Sequence, residues 1–476
     1  MFAIVLLGVA VILGAHFRFH RLDRWDLSGD EGQAWAGAIA PSVAEVIAAQ
    51  PRIENGGKLP PYDVLLHGWI RIFGDSVASM RRLSAAIGTI VIVLVFVAVR
   101  EACRLSEVQS EDQSEAQSNA SIGQMAGAFA ALIYATDLTM VVSDRTAREF
   151  PLLLASELLQ IIFFLRAQRR GGWIDYAGTA IFTAAMIAVN YSSGFLLFAE
   201  ALWLGYRLSA GWIGARMGAP AGKLAIIAPG LAVTAGVASL APLLPFVFAD
   251  SARAVQTGAI DWIKVQPISW PFTTLRDSAN SPALFWIFAL LGVYGTVRRR
   301  ASMRLTAEFF AFWTAGPLLA AFAVTYLIRP MEFPRYVLIA FLGLFAFAGL
   351  GAAALPGTAT RIALAILLVY LSVPPIHYSL RNYHELGWRE AATLAAGQTA
   401  RGQQIAVYNS HKVSVVRYYL TPDRRIDAVG MTDKCAGARV LVIGGVGGAH
   451  RQEVAAALAC YPRLLARVHG VEVRMR

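Results

Sequence analysis

Hydrophobic positions along this chain fall into long runs broken by short polar stretches. A helix crossing the hydrocarbon core of a bilayer needs about 20 mostly apolar residues. Runs of this kind lie near 2–17, 79–99, 123–142, 149–167, 173–190, 193–209, 224–248, 281–297, 306–328, 335–355 and 361–377. They predict a polytopic α-helical membrane protein with about eleven transmembrane helices. Only a short turn at Asn190–Ser193 separates the fifth run from the sixth. The first run has neither a basic start nor an A-x-A-like end, so it is expected to remain as a span.

The pattern changes twice. Residues 104–121, RLSEVQSEDQSEAQSNAS, are polar and acidic without apolar periodicity and read as a disordered cytoplasmic linker. From about residue 378, short segments replace the long runs. GWREAATLAAG reads as a helix, QQIAVYN as a strand, KVSVVRYYL as a helix, ARVLVIGG as a strand, HRQEVAAALACY as a helix and ARVHGVEVRM as a strand. This alternation predicts a small soluble α/β domain over 378–476, following a transmembrane unit over 1–377. GGVGG (444–448) follows a strand and precedes a helix. It lacks the G-x-G-x-x-G spacing and the later acidic residue of a dinucleotide site, so a glycine-rich turn accounts for it.

Composition agrees with the pattern. The 476 residues are 57% hydrophobic and 15% charged, whereas a soluble domain carries about 25% charged residues. The net charge of +11 is explained by position. Most Lys and Arg flank apolar runs, as topology signals do, so no nucleic-acid partner is implied. The loops holding Arg100 and Arg104, Arg166 to Arg170, Arg207 to Lys223, Arg298 to Arg304, and Arg361 fall on one side, expected to be cytoplasmic. The other side receives the loops 18–78, 143–148 and 249–280, the turn RPMEFPR and the C-terminal domain, all then periplasmic. Loop 18–78 runs against the rule, with Arg18, Arg21, Arg24, Arg52, Lys58 and Arg71. Long loops weigh less in that rule, and a cationic outer loop asks for a functional reason. Three cysteines are too few for a disulfide framework. Cys435 and Cys460 share the tail, where a pair and two free thiols are both open.

Four polar clusters sit at span ends on the expected outer side. Asp30 and Glu31 are adjacent in RLDRWDLSGDEGQAW, among several Arg and two Trp. A carboxylate in a partly enclosed pocket can take a proton from an attacking hydroxyl, while its neighbour orients it or binds the acceptor. Lys58 stands in KLPPYDVLLHGW, on a segment stiffened by Pro60 and Pro61. There it suits a phosphate head group as a point charge, or snorkels to the interface. His67 reads either as a packed helix-face histidine or as a substrate contact; Tyr62 and Trp35 are further substrate-binding candidates. SDRTAREF (143–150) crowds Asp144, Arg145, Arg148 and Glu149 into a short loop. Charge near membrane depth usually faces a cavity, and an Arg there can hold a phosphate bidentately. RPMEFPRY (329–336) adds Arg329, Glu332 and Arg335, the last two able to pair with each other. No H-x-x-H, HExxH or dense Asp pattern points to a metal.

In this order and spacing the motifs resemble the integral-membrane GT-C glycosyltransferases, in the bacterial branch similar to protein O-mannosyltransferases and the aminoarabinose transferase of lipid A. The matching stretches are DE (30–31), KLPPYDVLLHGWIRIFGDSVASMRRLSAAIG (58–88), TAREFPLLLASELLQIIFFLRA (146–167), FPRYVLIAFLGLFAFAGL (333–350) and, in the tail, GWREAA and RYYL. The resemblance implies an inverting transfer of a hexosyl or pentosyl group from a polyprenyl-phosphate donor. The acceptor is a hydroxyl of a glycan, lipid or protein at the outer face of a bacterial inner membrane. No nucleotide, cofactor or metal is implied. Asp30 becomes the base with Glu31 beside it, and Lys58, Arg148 and Arg335 the donor-phosphate contacts. Asp144, His67, Trp35 and Tyr62 are expected to bind substrate.

Three positions depart from the family pattern. Gln33 replaces an Arg of the aminoarabinose branch, Leu59 separates Lys58 from the Pro-Pro pair, and Thr146 stands where many relatives carry an acid, with Asp144 as a substitute. The alternative class is a transporter or lipid-linked sugar flippase. Such proteins place polar residues near the midplane in two matching halves, and no half-to-half repeat is visible here.

Overall fold

The computed structural model describes residues 1–53, 58–107, 113–216, 224–256, 263, 265–299, 302–331, 333–382, 387–399, 403–408, 412–420, 426–431, 438–444 and 455–476. Helix α1 (Phe2–Phe19) leads into three short helices, α2 (Gly29–Ala38), α3 (Val43–Ile53) and α4 (Pro61–Phe73). Then follow α5 (Val77–Glu107), α6 (Gln113–Ala135), α7 (Leu138–Asp144), α8 (Phe150–Arg170), α9 (Trp173–Val189) and α10 (Gly194–Arg216). After them come α11 (Leu224–Ala238), α12 (Leu244–Gln256), α13 (Trp270–Asp277), α14 (Pro282–Arg298), α15 (Arg304–Leu327), α16 (Leu338–Ala354) and α17 (Thr358–Asn382).

Among the described residues, six helices are long and apolar enough to cross a membrane, and up to eight if each bent pair counts as one span. The bent pairs are α6 with α7 and α13 with α14. Each expected apolar run coincides with helix, but fewer than eleven helices reach spanning length; α9 and α16 are apolar over 17 residues each. The α6–α7 break has a local cause. The Asp137 side chain accepts from Met140 N at 3.0 Å, starting a new helix bent by 67° from the last.

The polar stretch 104–121, expected to be disordered, is helical at both ends, with 108–112 outside the described residues. Its Glu, Gln and Ala are good helix formers, and each flanking helix has only to be prolonged rather than nucleated. The main core gathers side chains of α1, α5, α6, α8, α14, α15 and α16. Small residues let these helices approach: a Cβ on Gly127 of α6 would lie 2.6 Å from the Phe96 carbonyl oxygen of α5.

The tail folds as α18 (Trp388–Gly397), β1 (Gln404–Tyr408), α19 (Val413–Leu420), β2 (Asp427–Met431), β3 (Val440–Gly444), α20 (Ala455–Cys460), β4 (Arg463–Val468) and β5 (Val471–Met475). The sheet order is β2-β1-β3-β5-β4. β1 is parallel to β2 and β3, while β5 is antiparallel to β3 and β4. The expected single strand ARVHGVEVRM is a hairpin. His469 (φ 46°) and Gly470 (φ 87°) both take left-handed backbone, which a two-residue turn between twisted strands requires. Strand β2 was not anticipated. Of GGVGG, Gly444 ends β3 and the rest lies outside the described residues. Cys460 is disulfide-bonded, Cys103 is a buried thiol, and Cys435 lies outside the described residues. α17 continues to Asn382, past the expected boundary at 377.

The tail is not a detached module. Trp388, Ala391, Val415, Val440 and Val473 share one hydrophobic core with Leu27, Ala34, Trp35, Tyr62, Met80 and Ala147.

Candidate active site

Helix α2 carries the two adjacent acids and turns them in different directions. Ser28 caps the helix: its hydroxyl accepts from Glu31 N at 3.2 Å, and the Glu31 carboxylate accepts from Ser28 N at 2.9 Å. This draws Glu31 inward. Arg81 of α5 donates to its two oxygens at 2.7 and 2.8 Å, and Ala147 N adds a third bond at 2.9 Å. The remaining Arg81 donors reach the carbonyls of Leu22, Trp25 and Asp26. Burial works to raise the Glu31 pKa, but Arg81 and the backbone donors outweigh it and hold the carboxyl below its ordinary range.

Asp30 faces out. Its side chain is 40% exposed, and its Oδ2 accepts from Arg335 Nη1 at 2.9 Å. Arg335 stands on a 3₁₀ turn, Pro334–Tyr336, ahead of α16. Its guanidinium lies 4.8 Å from the Phe333 ring centroid and 5.7 Å from those of Phe150 and Tyr336, which fixes its direction. Glu332, the other partner the sequence offered it, lies outside the described residues. Arg148 donates to the Asp30 carbonyl at 3.1 Å.

Glu149, immediately before α8, gathers the remaining cations. It meets Arg148 at 3.0 Å, Lys58 Nζ at 3.4 Å and Asn190 Nδ2 at 3.4 Å. Burial acts to raise its pKa, and Arg148 and Lys58 pull it below the usual carboxylate range. Lys58 is 2% exposed and also pairs with Asp63 at 3.1 Å. Its backbone is pinned: Gln50 donates to the Lys58 carbonyl at 3.0 Å, and Leu59 N donates to Ala188 O of α9 at 2.9 Å. Thus Lys58, Arg148 and Arg335, expected from three separate motifs, converge on Asp30 and Glu149.

The four expected substrate-binding residues each have protein partners in this structure. Asp144 is fully buried against Arg18 at 2.7 Å and accepts from the Tyr134 hydroxyl at 2.8 Å, tying α7 to α1 and α6. His67 Nδ1 donates to Ala38 O at 2.8 Å, joining α4 to α2. Trp35 donates to Asp75 at 3.2 Å and meets the Tyr418 ring edge-on at 5.1 Å, facing the C-terminal domain. The Tyr62 hydroxyl lies 2.8 Å from Ser84 Oγ, which itself donates to Arg148 O at 3.2 Å. Burial pushes the Tyr62 phenol well above its ordinary value, so it stays protonated. Thr146 donates to Ser143 O at 2.8 Å. Sequence reasoning missed Arg81, Asp63 and Asn190, and noted Glu149 without assigning it a role. The S-x-x-E signature over Ser28–Glu31 was the signal that Glu31 would fold back on its helix.

The C-terminal domain presses on the back of α2. A Cβ at Gly32 would lie 2.7 Å from Val415 Cγ2 and 2.9 Å from Val415 N. The Tyr419 hydroxyl accepts from Leu27 N at 2.9 Å, and Asp26 accepts from Arg389 N at 3.1 Å. The last two contacts come from the tail stretches GWREAA and RYYL. Among the described residues, no group of three or more His, Cys, Asp or Glu is placed to hold a metal ion.

No family model and no curated protein matches the sequence. Solved structures do match it. The crystal structure of ArnT from Cupriavidus metallidurans in the apo state is similar with a TM-score of 0.61 at 14% identity, over 99% of this chain and 97% of that one. The same protein bound to undecaprenyl phosphate gives 0.58 over the same shares. The oligosaccharyltransferase of Archaeoglobus fulgidus gives 0.51 at 12% identity, over 89% of this chain and 64% of its own. Likeness at such low identity speaks for architecture alone, and in architecture the chain has the GT-C fold of these membrane proteins.

Proposed function

We propose that this protein is a membrane glycosyltransferase that moves a sugar from a polyprenyl-phosphate donor to an acceptor hydroxyl, with Asp30 as general base. One observation carries the reading. An accessible carboxylate, Asp30, is held by an accessible guanidinium, Arg335, beside a buried knot of Lys58, Arg148 and Glu149. The fold is shared with ArnT, which has been seen with undecaprenyl phosphate. The disulfide at Cys460 supports an oxidising compartment for the C-terminal domain, as the outer face of a bacterial inner membrane provides.

In this reaction the acceptor hydroxyl gives its proton to Asp30. Its oxygen attacks the anomeric carbon opposite the phosphate. The bond from that carbon to the phosphate oxygen breaks, the leaving polyprenyl phosphate keeps the electron pair, and configuration inverts. Negative charge grows on the departing phosphate, where preorganised cations are most effective. Without donor, those cations are neutralised by Asp30 and Glu149. A donor phosphate competes for Arg335 and Arg148, and turning Arg335 to the phosphate frees Asp30 to accept a proton. Glu31 and Arg81 then act as positioning residues, as do Tyr62, Trp35, His67 and Asp144.

The test uses purified protein in nanodiscs with a panel of polyprenyl-phosphate sugars and candidate acceptors, reading released polyprenyl phosphate. Release by wild type, falling by about 10²–10⁴-fold in Asp30→Asn while donor still binds, supports the reading. No release from any donor, together with movement of lipid between leaflets, overturns it in favour of a flippase.

A further inference from the structure

A second polar cluster lies inside the helical bundle, away from Asp30. Glu157 and Gln160 stand one turn apart on α8, Thr183 on α9 and Glu200 on α10. Their exposures are 3%, 0%, 0% and 3%. Gln160 Nε2 donates to Glu200 Oε2 at 3.0 Å and reaches Thr183 Oγ1 at 3.5 Å. Because that nitrogen is committed, the amide oxygen is the free end. Buried Gln160 Oε1 and buried Glu200 Oε1 have no hydrogen-bond partner among the described residues. Neither Glu157 nor Glu200 forms an ion pair with Lys, Arg or His among the described residues.

The location makes this costly. Glu157 is eight residues beyond Glu149, on the order of 12 Å along the helix axis. It lies in a helix apolar enough to cross a membrane. Uncompensated carboxylates in such surroundings are strongly unfavourable, and ionisable residues within spans mark binding or transport sites. The group offers two carboxylates, an amide oxygen and a hydroxyl, from three helices, with one committed amide donor. Oxygen-only donor sets of this kind suit hard cations and do not suit zinc or other metals that favour nitrogen and sulfur.

We propose that Glu157, Gln160, Thr183 and Glu200 form an intramembrane site for a hard, oxygen-liganded cation of the sodium or calcium class. The ion joins α8, α9 and α10 beneath the Lys58–Glu149 knot. The site is separate from the transfer chemistry and does not rest on it. One calcium ion neutralises both carboxylates, whereas sodium leaves one of them to carry a proton. Magnesium, which sheds water reluctantly, fits a dry site poorly.

The test melts the full-length protein in detergent at constant ionic strength set by choline chloride, with sodium, calcium or magnesium chloride added. A saturable rise in Tm with sodium or calcium, absent in Glu157→Gln and Glu200→Gln, is the expected result, and the ion that saturates fixes the class. Equilibrium binding of radioactive sodium and calcium to wild type reads the same site without relying on a variant; about one ion per chain is expected. A wild type whose Tm ignores every cation and which binds none overturns the proposal. So does cation binding that survives both substitutions. In the first case, an infrared carbonyl band from protonated carboxyls, lost in Glu200→Gln, identifies protons as the neutralising species.

Discussion

Asp30 and Arg335 are 305 positions apart and meet at 2.9 Å, carboxylate against guanidinium. The pair brings the loop after α1 and the turn before α16 together. Both partners are partly exposed, at 40% and 30%, so the bond between them is weak and exchangeable. A phosphate, although tetrahedral, offers Arg335 a pair of acceptor oxygens as a carboxylate does.

Arg335→Ala is expected to lower turnover by about 10²–10³-fold, the scale of losing one preorganised donor at a developing anion. Arg335→Lys is expected to recover only part, because an ammonium reproduces neither the fork nor the ring contacts with Phe333 and Tyr336. Release of polyprenyl phosphate checks both. Wild-type turnover in Arg335→Ala would remove this residue from the mechanism.

Glu31→Gln strands the buried Arg81 charge and is expected to destabilise the protein by about 3–5 kcal/mol at neutral pH. The pH dependence has a definite sign. Burial pushes the carboxyl up, but Arg81 brings the folded value below the 4.5 of the unpaired group. The contribution is therefore fully present above pH 4.5 and is lost as pH falls through the lower folded value. Melting wild type and variant across that window should show the gap between them closing. A gap that stays constant would place the effect elsewhere than in the ion pair.

Gly32→Ala tests the pressure of the C-terminal domain on α2. The new methyl meets Val415 Cγ2 at 2.7 Å and Val415 N at 2.9 Å, and overpacking of this kind costs about 1–3 kcal/mol. Adding Val415→Ala relieves the side-chain contact but not the backbone one, so part of the loss returns. Turnover is expected to fall more than donor affinity, since α2 carries Asp30. An unchanged Tm in Gly32→Ala would show that the contact is not tight.

Lys58→Met leaves Asp63 and Glu149 as buried carboxylates without their shared cation. A loss of about 3–5 kcal/mol is expected, with weaker donor binding. Lys58→Arg does not rescue it, because a residue 2% exposed leaves no room for a larger head group. Thermal melting and donor titration read the two effects separately. Normal donor affinity in a folded Lys58→Met protein would take Lys58 out of the phosphate site.

The apolar runs were legible because spanning helices depend on local composition. Asp30, Glu31 and Lys58 were legible because polar groups at span ends need a reason to be there. Which of the two acids faces outward was less apparent, although Ser28 encoded it through the helix cap. The pairing of Asp144 was not legible because its partner, Arg18, is 126 positions away and no local pattern joins them. Glu149 was seen only as one charge in a crowded loop; its role arises where Lys58, Arg148 and Asn190 meet. The His469–Gly470 turn left a local mark, a glycine between two alternating segments. The Gly32–Val415 contact left none, since it exists only once the two ends of the fold are together.

Val471, Val473 and Met475 of β5 share their core with Leu27, Ala34 and Trp35 of the segment after α1. The rear support of α2 is supplied by α19, and β5 completes the core that holds α18 and α19 in place. A chain cut before β5 keeps Asp30, Lys58 and the spanning helices described above, yet exposes an apolar surface where that strand belongs. Such a fragment is what cellular proteases and chaperones recognise. The seating of Asp30 is thereby coupled to the folding of the C-terminal sheet, so damage to β5 is felt at a carboxylate it never touches in sequence.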